Sequence, residues 1–261
     1  MHPSRIHKAM FDLASVGSAP QAPTARRVTN VKHAQGSRAF SVLLGELCRG
    51  RPWRHGGHRL VQLRFALAYK GLAYRYVAVN LLEKEQRDSL HVHRSPTGYV
   101  PCLEIDGRTV NESVAIIELI DELFPEPPLL PRDPWHRARV RAMVEVVNAG
   151  TQPLQNLSVL ERHTSDQKER TAWARYFNER GLEALERMMA ANEALGVKGK
   201  YAYGDTITIA DLFVVPQVYS ARRFGVEAAK YPRVMAAADS AAASKAGSAA
   251  LPEAQPDAMK Q

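Results

Sequence analysis

The chain has 261 residues, 45% hydrophobic and 24% charged, with a formal net charge of +8. That length suits two compact domains, and the composition is that of an ordinary globular protein, which excludes collagen-like, fully disordered and coiled-coil architectures. No apolar run reaches the roughly 18 residues that a membrane-spanning helix needs, and Cys48 and Cys102 alone cannot build a disulfide framework.

Taken whole, the positive charge would point to nucleic acid or an anionic surface as partner. Its distribution argues otherwise. Residues 1–64 hold 11 Lys and Arg against only Asp12 and Glu46, whereas residues 65–261 hold 24 against 25 acidic residues. A neutral body with a basic segment attached predicts neither a nucleic-acid nor a membrane partner. A DNA-binding tail would instead show salt-dependent affinity lost on deleting residues 1–56.

Residues 1–38 are rich in Arg, Ser, Ala and Pro and carry no sustained apolar period, so disorder is expected there. The apolar stretch from Met10 to Ala14 is too short for the core of a secretory signal. A transit peptide remains the alternative to a solvated tail, although Asp12 and the prolines argue against it, and a cytoplasmic protein is expected. Residues 1–56 are therefore read as a basic extension, disordered or non-native.

From Leu60 the pattern sharpens. Leu63, Phe65, Ala66, Leu67 and Tyr69 precede Gly71, which predicts a helix closed by a glycine. Tyr74 to Asn80 alternates aromatic and β-branched residues, a strand signal. Val100 to Ile105, Asp106-Gly107 and Arg108 to Val110 predict a hairpin with an Asp-Gly turn. Val114, Ile117, Leu119, Ile120 and Leu123 mark an amphipathic helix. Residues 57–125 are thus an open-sheeted α/β domain. Beyond Pro125-Glu126-Pro127-Pro128 strand signals stop. His136–Asn148, Gln167–Leu195 and Ile209–Arg222 are helical by period, giving an all-α domain over residues 133–258 whose end fades into Ala/Ser-rich sequence. Thr208 and Asp211 form a capping box with Ile207 and Leu212 as its staple, a folding device rather than a catalytic one.

Several motifs now coincide. Tyr99-Val100-Pro101-Cys102-Leu103 followed by Asn111-Glu112-Ser113 resembles the thioredoxin-like glutathione site of the glutathione transferases. Gln152-Pro153-Leu154-Gln155-Asn156-Leu157-Ser158-Val159-Leu160 looks like the signature of the zeta class, the maleylacetoacetate isomerase family. Asn80-Leu81-Leu82, Glu85-Gln86-Arg87, Tyr203-Gly204-Asp205, Val215-Pro216-Gln217-Val218, Ala221-Arg222-Arg223-Phe224 and Gln255-Pro256-Asp257-Ala258 match that class in the same order.

The resemblance implies a thioredoxin-like α/β domain followed by an all-α domain, glutathione as cofactor, a small diketo-acid substrate and a homodimer. It implies cis-trans isomerisation of maleylacetoacetate in aromatic amino-acid breakdown, with maleylpyruvate isomerisation as a near neighbour. The thiolate adds to a conjugated carbon, the bond rotates in an enolate, and elimination returns glutathione. By the same resemblance Pro101 is a cis-proline that exposes the backbone of Val100 to the cysteinyl part of glutathione. Glu112 then suits the γ-glutamyl ammonium and Ser113 its carboxylate, while Gln86 contacts the glycyl end. Gln152, Asn156 and Ser158 face the cleft from the helical domain, and Arg223 stands near a substrate carboxylate. No metal is implied, and Cys102 is read as a buried strand residue, since the nucleophile belongs to glutathione.

One departure matters. Family members open the first helix with a Ser-Ser turn after a short first strand, and counting back from Gly71 those positions hold Gly57-His58-Arg59. The preceding residues, Gly50 to His55, are poor strand sequence, so the first strand is expected to be degraded or missing. Three explanations stand. His58 or Arg59 substitutes as a cation near the helix start. Alternatively, the chain is a noncatalytic glutathione-transferase-like binding protein. In the third, residues before about Leu60 arise from a shifted frame or misplaced start, with Ala39 to Leu47 as a surrogate strand or a short helix. Weak glutathione binding and turnover below the family level are expected.

Overall fold

The computed structural model describes residues 40–46, 58–81 and 83–255. A four-stranded sheet is built from β1 (Phe40–Glu46), β2 (Arg75–Asn80), β3 (Cys102–Ile105) and β4 (Arg108–Asn111), in the order β2-β1-β3-β4. β1 runs parallel to β2, with Ser41 opposite Arg75, and antiparallel to β3, with Leu43 opposite Cys102. The expected absence of a first strand is therefore corrected: the run around Phe40 to Glu46 is a strand, not a short helix, and it lies upstream of the boundary drawn at residue 57. Physically, β2 and β3 would each show an unpaired backbone edge without it, and an aliphatic, strand-compatible run is close enough in sequence to fill the gap. Gly50 to His55 fall outside the described residues, as do residues 1–38.

Helix α1 (His58–Tyr69) follows, and Gly71 takes φ +65° just past its end, a conformation glycine adopts without strain. Every residue from Leu60 to Leu67 is buried, the polar Gln62 and Arg64 included. A helix enclosed on all sides is a core element rather than a surface one, and α1 packs against α3 (Ser113–Leu123), α7 (Ile209–Arg223) and α9 (Lys245–Ala250). Short α2 (Ser89–Arg94) leads into the β3–β4 hairpin, whose turn residues Asp106 and Gly107 both have positive φ, as the Asp-Gly signal requires.

The second half is helical: α4 (Pro134–Asn148), α5 (Leu157–His163), α6 (Gln167–Ala194), α7, α8 (Pro232–Ala243) and α9. The Ala/Ser-rich end does not fade. α8 buries Val234, Met235, Ala237, Ala238 and Ala241, and α9 packs on α1, because small side chains let helices approach closely. Among the described residues no helix is long and apolar enough to cross a membrane.

α7 is the central pillar, buried from Ile209 to Val218. Its start carries the expected capping box. Asp211 Oδ2 accepts from the Thr208 amide at 2.8 Å, and Oδ1 accepts from the Ala202 amide at 2.7 Å. Burial pushes the Asp211 carboxyl up to about 6, and the hydrogen bonds from Ala202 and Thr208 pull against that rise. The unfolded chain ionises this group near 3.8, so its contribution to stability is complete below that pH and is lost as the pH climbs through about 6. Relative to Asp211→Asn, the wild-type chain is expected to lose roughly 2–3 kcal/mol between pH 4 and pH 7. Urea unfolding of both proteins at each pH checks this, and parallel pH curves would contradict it.

Candidate active site

The N-terminus of α1, the start of α3, the loop before β3 and the turn after α4 converge at one end of the sheet. The loop before β3 is shaped first. Ser95 Oγ donates to the Tyr99 carbonyl at 2.8 Å, and His91 Nε2 lies 3.0 Å from the same oxygen. The Val100–Pro101 bond is cis, and both residues are buried. Gly98 has φ +64°, and a Cβ there would sit 3.3 Å from the Gln86 carbonyl, so the short 3-10 helix Glu85–Arg87 packs directly on this loop.

Glu112 caps α3 with φ +69° and ψ 124°. A non-glycine residue in that region carries strain on the order of 1–3 kcal/mol, tolerated where the surroundings hold it. Ser113, the first residue of α3, is 1% exposed, and its hydroxyl has no hydrogen-bond partner among the described residues. Arg59, one residue into α1, reaches Glu112 with its guanidinium 3.2 Å from Oε2. One turn further along α1, Gln62 Nε2 donates to Gln152 Oε1 at 3.0 Å, linking the sheet half to the 3-10 helix Gln152–Gln155 of the helical half.

Arg59, Glu112, Ser113 and Gln152 are thus brought together through α1, with Gln86, Val100 and Pro101 along the neighbouring loop. Asn156 is the half-buried N-cap residue just before α5, and Ser158 is exposed on its first turn. Arg223 ends α7 with its guanidinium 5.3 Å from the Phe224 ring, while Arg222 donates from Nη2 to both carboxylate oxygens of Asp239, at 2.8 and 2.9 Å. The backbone of His58 opens α1; its side chain lies outside the description. Cys102 is buried in β3, and burial pushes its thiol up to about 11. At neutral pH it is a protonated strand residue and no nucleophile.

The structure also explains residues whose role the sequence left open. Gln155, Gln217 and Asn178 form a closed ring. Gln155 Nε2 donates to Gln217 Oε1 (3.1 Å), Gln217 Nε2 to Asn178 Oδ1 (2.6 Å), and Asn178 Nδ2 to Gln155 Oε1 (2.6 Å). Ser220 Oγ adds a fourth bond at 2.8 Å. Each of these amides is buried and satisfied, which is the condition for tolerating polar groups in a core. Two motif glutamines therefore tie α6 and α7 to the turn that carries Gln152. Gln62 itself was missed, because a lone glutamine on an apolar helix carries no signal until its partner is known.

Among known proteins, the family profile of the glutathione S-transferase N-terminal domain matches residues 61–128, and that of the C-terminal domain matches residues 175–239. Glutathione S-transferase Z1 of Arabidopsis thaliana is 42% identical over 212 residues, spanning 79% of this chain and 91% of that protein. Maleylpyruvate isomerase of a Ralstonia species is 38% identical over 210 residues, 78% and 96% of the two chains. A crystal structure of maleylacetoacetate isomerase from Anaeromyxobacter dehalogenans with GSH bound in its active site superposes with a TM-score of 0.71 at 42% identity, covering 85% of this chain and 100% of that one.

Proposed function

The chain belongs to the zeta class of the glutathione S-transferase family, and from that premise we propose that it isomerises maleylacetoacetate in aromatic amino-acid breakdown. The class makes it a glutathione-dependent isomerase; the choice of substrate, a cytoplasmic location and a homodimeric state are the finer parts of the proposal.

One observation carries the assignment of the site. Buried side-chain atoms without a partner are few in a well-formed protein and call for an explanation. Among the described residues they include Ser113 Oγ, Gln152 Nε2 and Gln86 Oε1, three residues that the family resemblance assigns to glutathione. Their chemistry fits the molecule. The Ser113 hydroxyl and the free amides at the start of α3 suit a carboxylate, aided by the helix dipole. The Glu112 carboxylate suits an ammonium, the backbone of Val100 suits a peptide, and the amides of Gln152 and Gln86 suit its remaining polar atoms. Asn156, Ser158 and Arg223 complete the proposed site from the helical half, Arg223 toward a substrate carboxylate.

When bound, glutathione supplies the thiol nucleophile whose addition to the conjugated double bond allows that bond to rotate. The protein's task is to favour negative charge at the sulfur and at the carbonyl oxygen of the substrate. No serine stands at the start of α1 to do this, and Arg59 brings a guanidinium there instead. An arginine beside a developing anion is an electrostatic stabiliser that needs no proton transfer.

Isomerisation of maleylacetoacetate by the full chain, followed in parallel with maleylpyruvate and with calorimetric glutathione binding, tests the proposal. Turnover of maleylacetoacetate is expected, below that of serine-bearing relatives. Preference for maleylpyruvate would reassign the substrate. Glutathione binding without turnover of either compound would favour the noncatalytic binding protein.

A further inference from the structure

Gln62 and Gln152 are 0% and 2% exposed, lie 90 residues apart and belong to different halves of the chain. Gln62 sits on a helix turn whose neighbours Leu60, Val61, Leu63 and Phe65 are all buried and apolar. An amide in such a place costs free energy unless it is hydrogen-bonded. It makes one hydrogen bond, Nε2 to Gln152 Oε1 at 3.0 Å, and its own Oε1 is buried without a partner among the described residues. Because that bond uses the carbonyl end of the Gln152 amide, the donor end is left over, and Gln152 Nε2 is indeed buried without a partner among the described residues.

We propose that Gln62 is a positioning residue: it fixes which way the Gln152 amide points, so that the glutathione site sees an N–H donor and recognises an acceptor, a carboxylate or carbonyl oxygen of the tripeptide. The inference rests on the reading that Gln152 contacts glutathione, and it adds an interdomain dependence to that reading. Helix α1 then meets both halves of the site one turn apart, Arg59 beside Glu112 and Gln62 holding Gln152.

Two substitutions separate orientation from mere space-filling. Gln62→Met keeps the side-chain length and removes the hydrogen bond. Gln62→Glu, once ionised at the alkaline end of a pH series, can only accept, so it draws the Gln152 donor toward itself and turns the carbonyl oxygen to the site. Glutathione Kd by calorimetry and the KM for glutathione are expected to rise about tenfold for Gln62→Met, the equivalent of one lost neutral hydrogen bond, with kcat unchanged. Gln62→Glu should bind at least as weakly although it retains a bond to Gln152. In a Gln152→Met background, Gln62→Met should cause no further loss. Tm is followed for each protein so that unfolding is seen directly. Normal glutathione affinity in Gln62→Glu, or weakening by Gln152→Met without weakening by Gln62→Met, overturns the positioning role alone. Unchanged affinity in Gln152→Met overturns the contact itself and the positioning role with it.

Discussion

Methionine in place of Lys70 is expected to lower the unfolding free energy by about 3–5 kcal/mol, the cost of breaking a buried charged pair by removing one partner. Lys70 follows the last residue of α1, and its side chain is fully buried. All three ammonium protons are used: Nζ lies 2.5 Å from Asp121 Oδ1, 2.7 Å from the Phe124 carbonyl and 2.6 Å from the Pro127 carbonyl. Asp121 Oδ1 also accepts from the Leu129 amide at 2.9 Å, and the Leu129 carbonyl accepts from the Ile209 amide at 2.8 Å. A single cation thus gathers the end of α1, the end of α3 and the proline-rich connection, and passes that order on to the start of α7. Methionine fills nearly the same volume, so little cavity cost enters. What is left is an aspartate and two carbonyls deprived of their donor in the interior. Guanidinium unfolding at neutral pH measures the loss. A change below about 1 kcal/mol would place Lys70 with ordinary surface ion pairs and remove it as the anchor of α1.

Replacing Arg59 with alanine is expected to reduce turnover roughly 100-fold, the scale on which one preorganised electrostatic donor acts, while glutathione affinity moves by no more than about threefold. The Arg59–Glu112 pair is partly exposed, so its loss costs little stability. The proposed role concerns the charge state of the sulfur rather than the holding of the tripeptide. The ultraviolet absorbance of the thiolate, titrated in the complex, should therefore shift the thiol pKa upward in Arg59→Ala, and Arg59→Lys should restore part of the shift because the charge returns without its planar geometry. Unchanged turnover in Arg59→Ala would return the role to another group. A proportional loss of glutathione binding would make Arg59 a binding residue instead.

Both predictions depend on contacts that span the chain, and this marks where the sequence was legible. The Asp106-Gly107 turn, Gly71 after α1 and the Thr208–Asp211 box were readable because each is set by the backbone preferences of a few consecutive residues. Three helices of the second half, α4, α6 and α7, followed from their period with boundaries close to those observed, whereas α5, α8 and α9 did not. At the proposed site, the motif and the start of α3 single out Glu112 and Ser113. The motif singles out Gln152 as well, but nothing in its sequence neighbourhood points to Gln62 as its hydrogen-bond partner.

The sequence by itself determined the local elements, the neutral two-part body and the family to which it belongs, because these are written in spacings of a few residues. Only the tertiary structure decided that Phe40–Glu46 is the strand between β2 and β3, that Lys70 is an interior anchor, and that the Gln155–Gln217–Asn178 ring stands behind the site. Hydrogen-bond partners 23 to 90 residues apart are chosen by which buried polar groups the closed fold brings within about 3 Å of each other. No local preference specifies that choice; it follows from the requirement that every polar group taken into the core find a partner there, or a ligand.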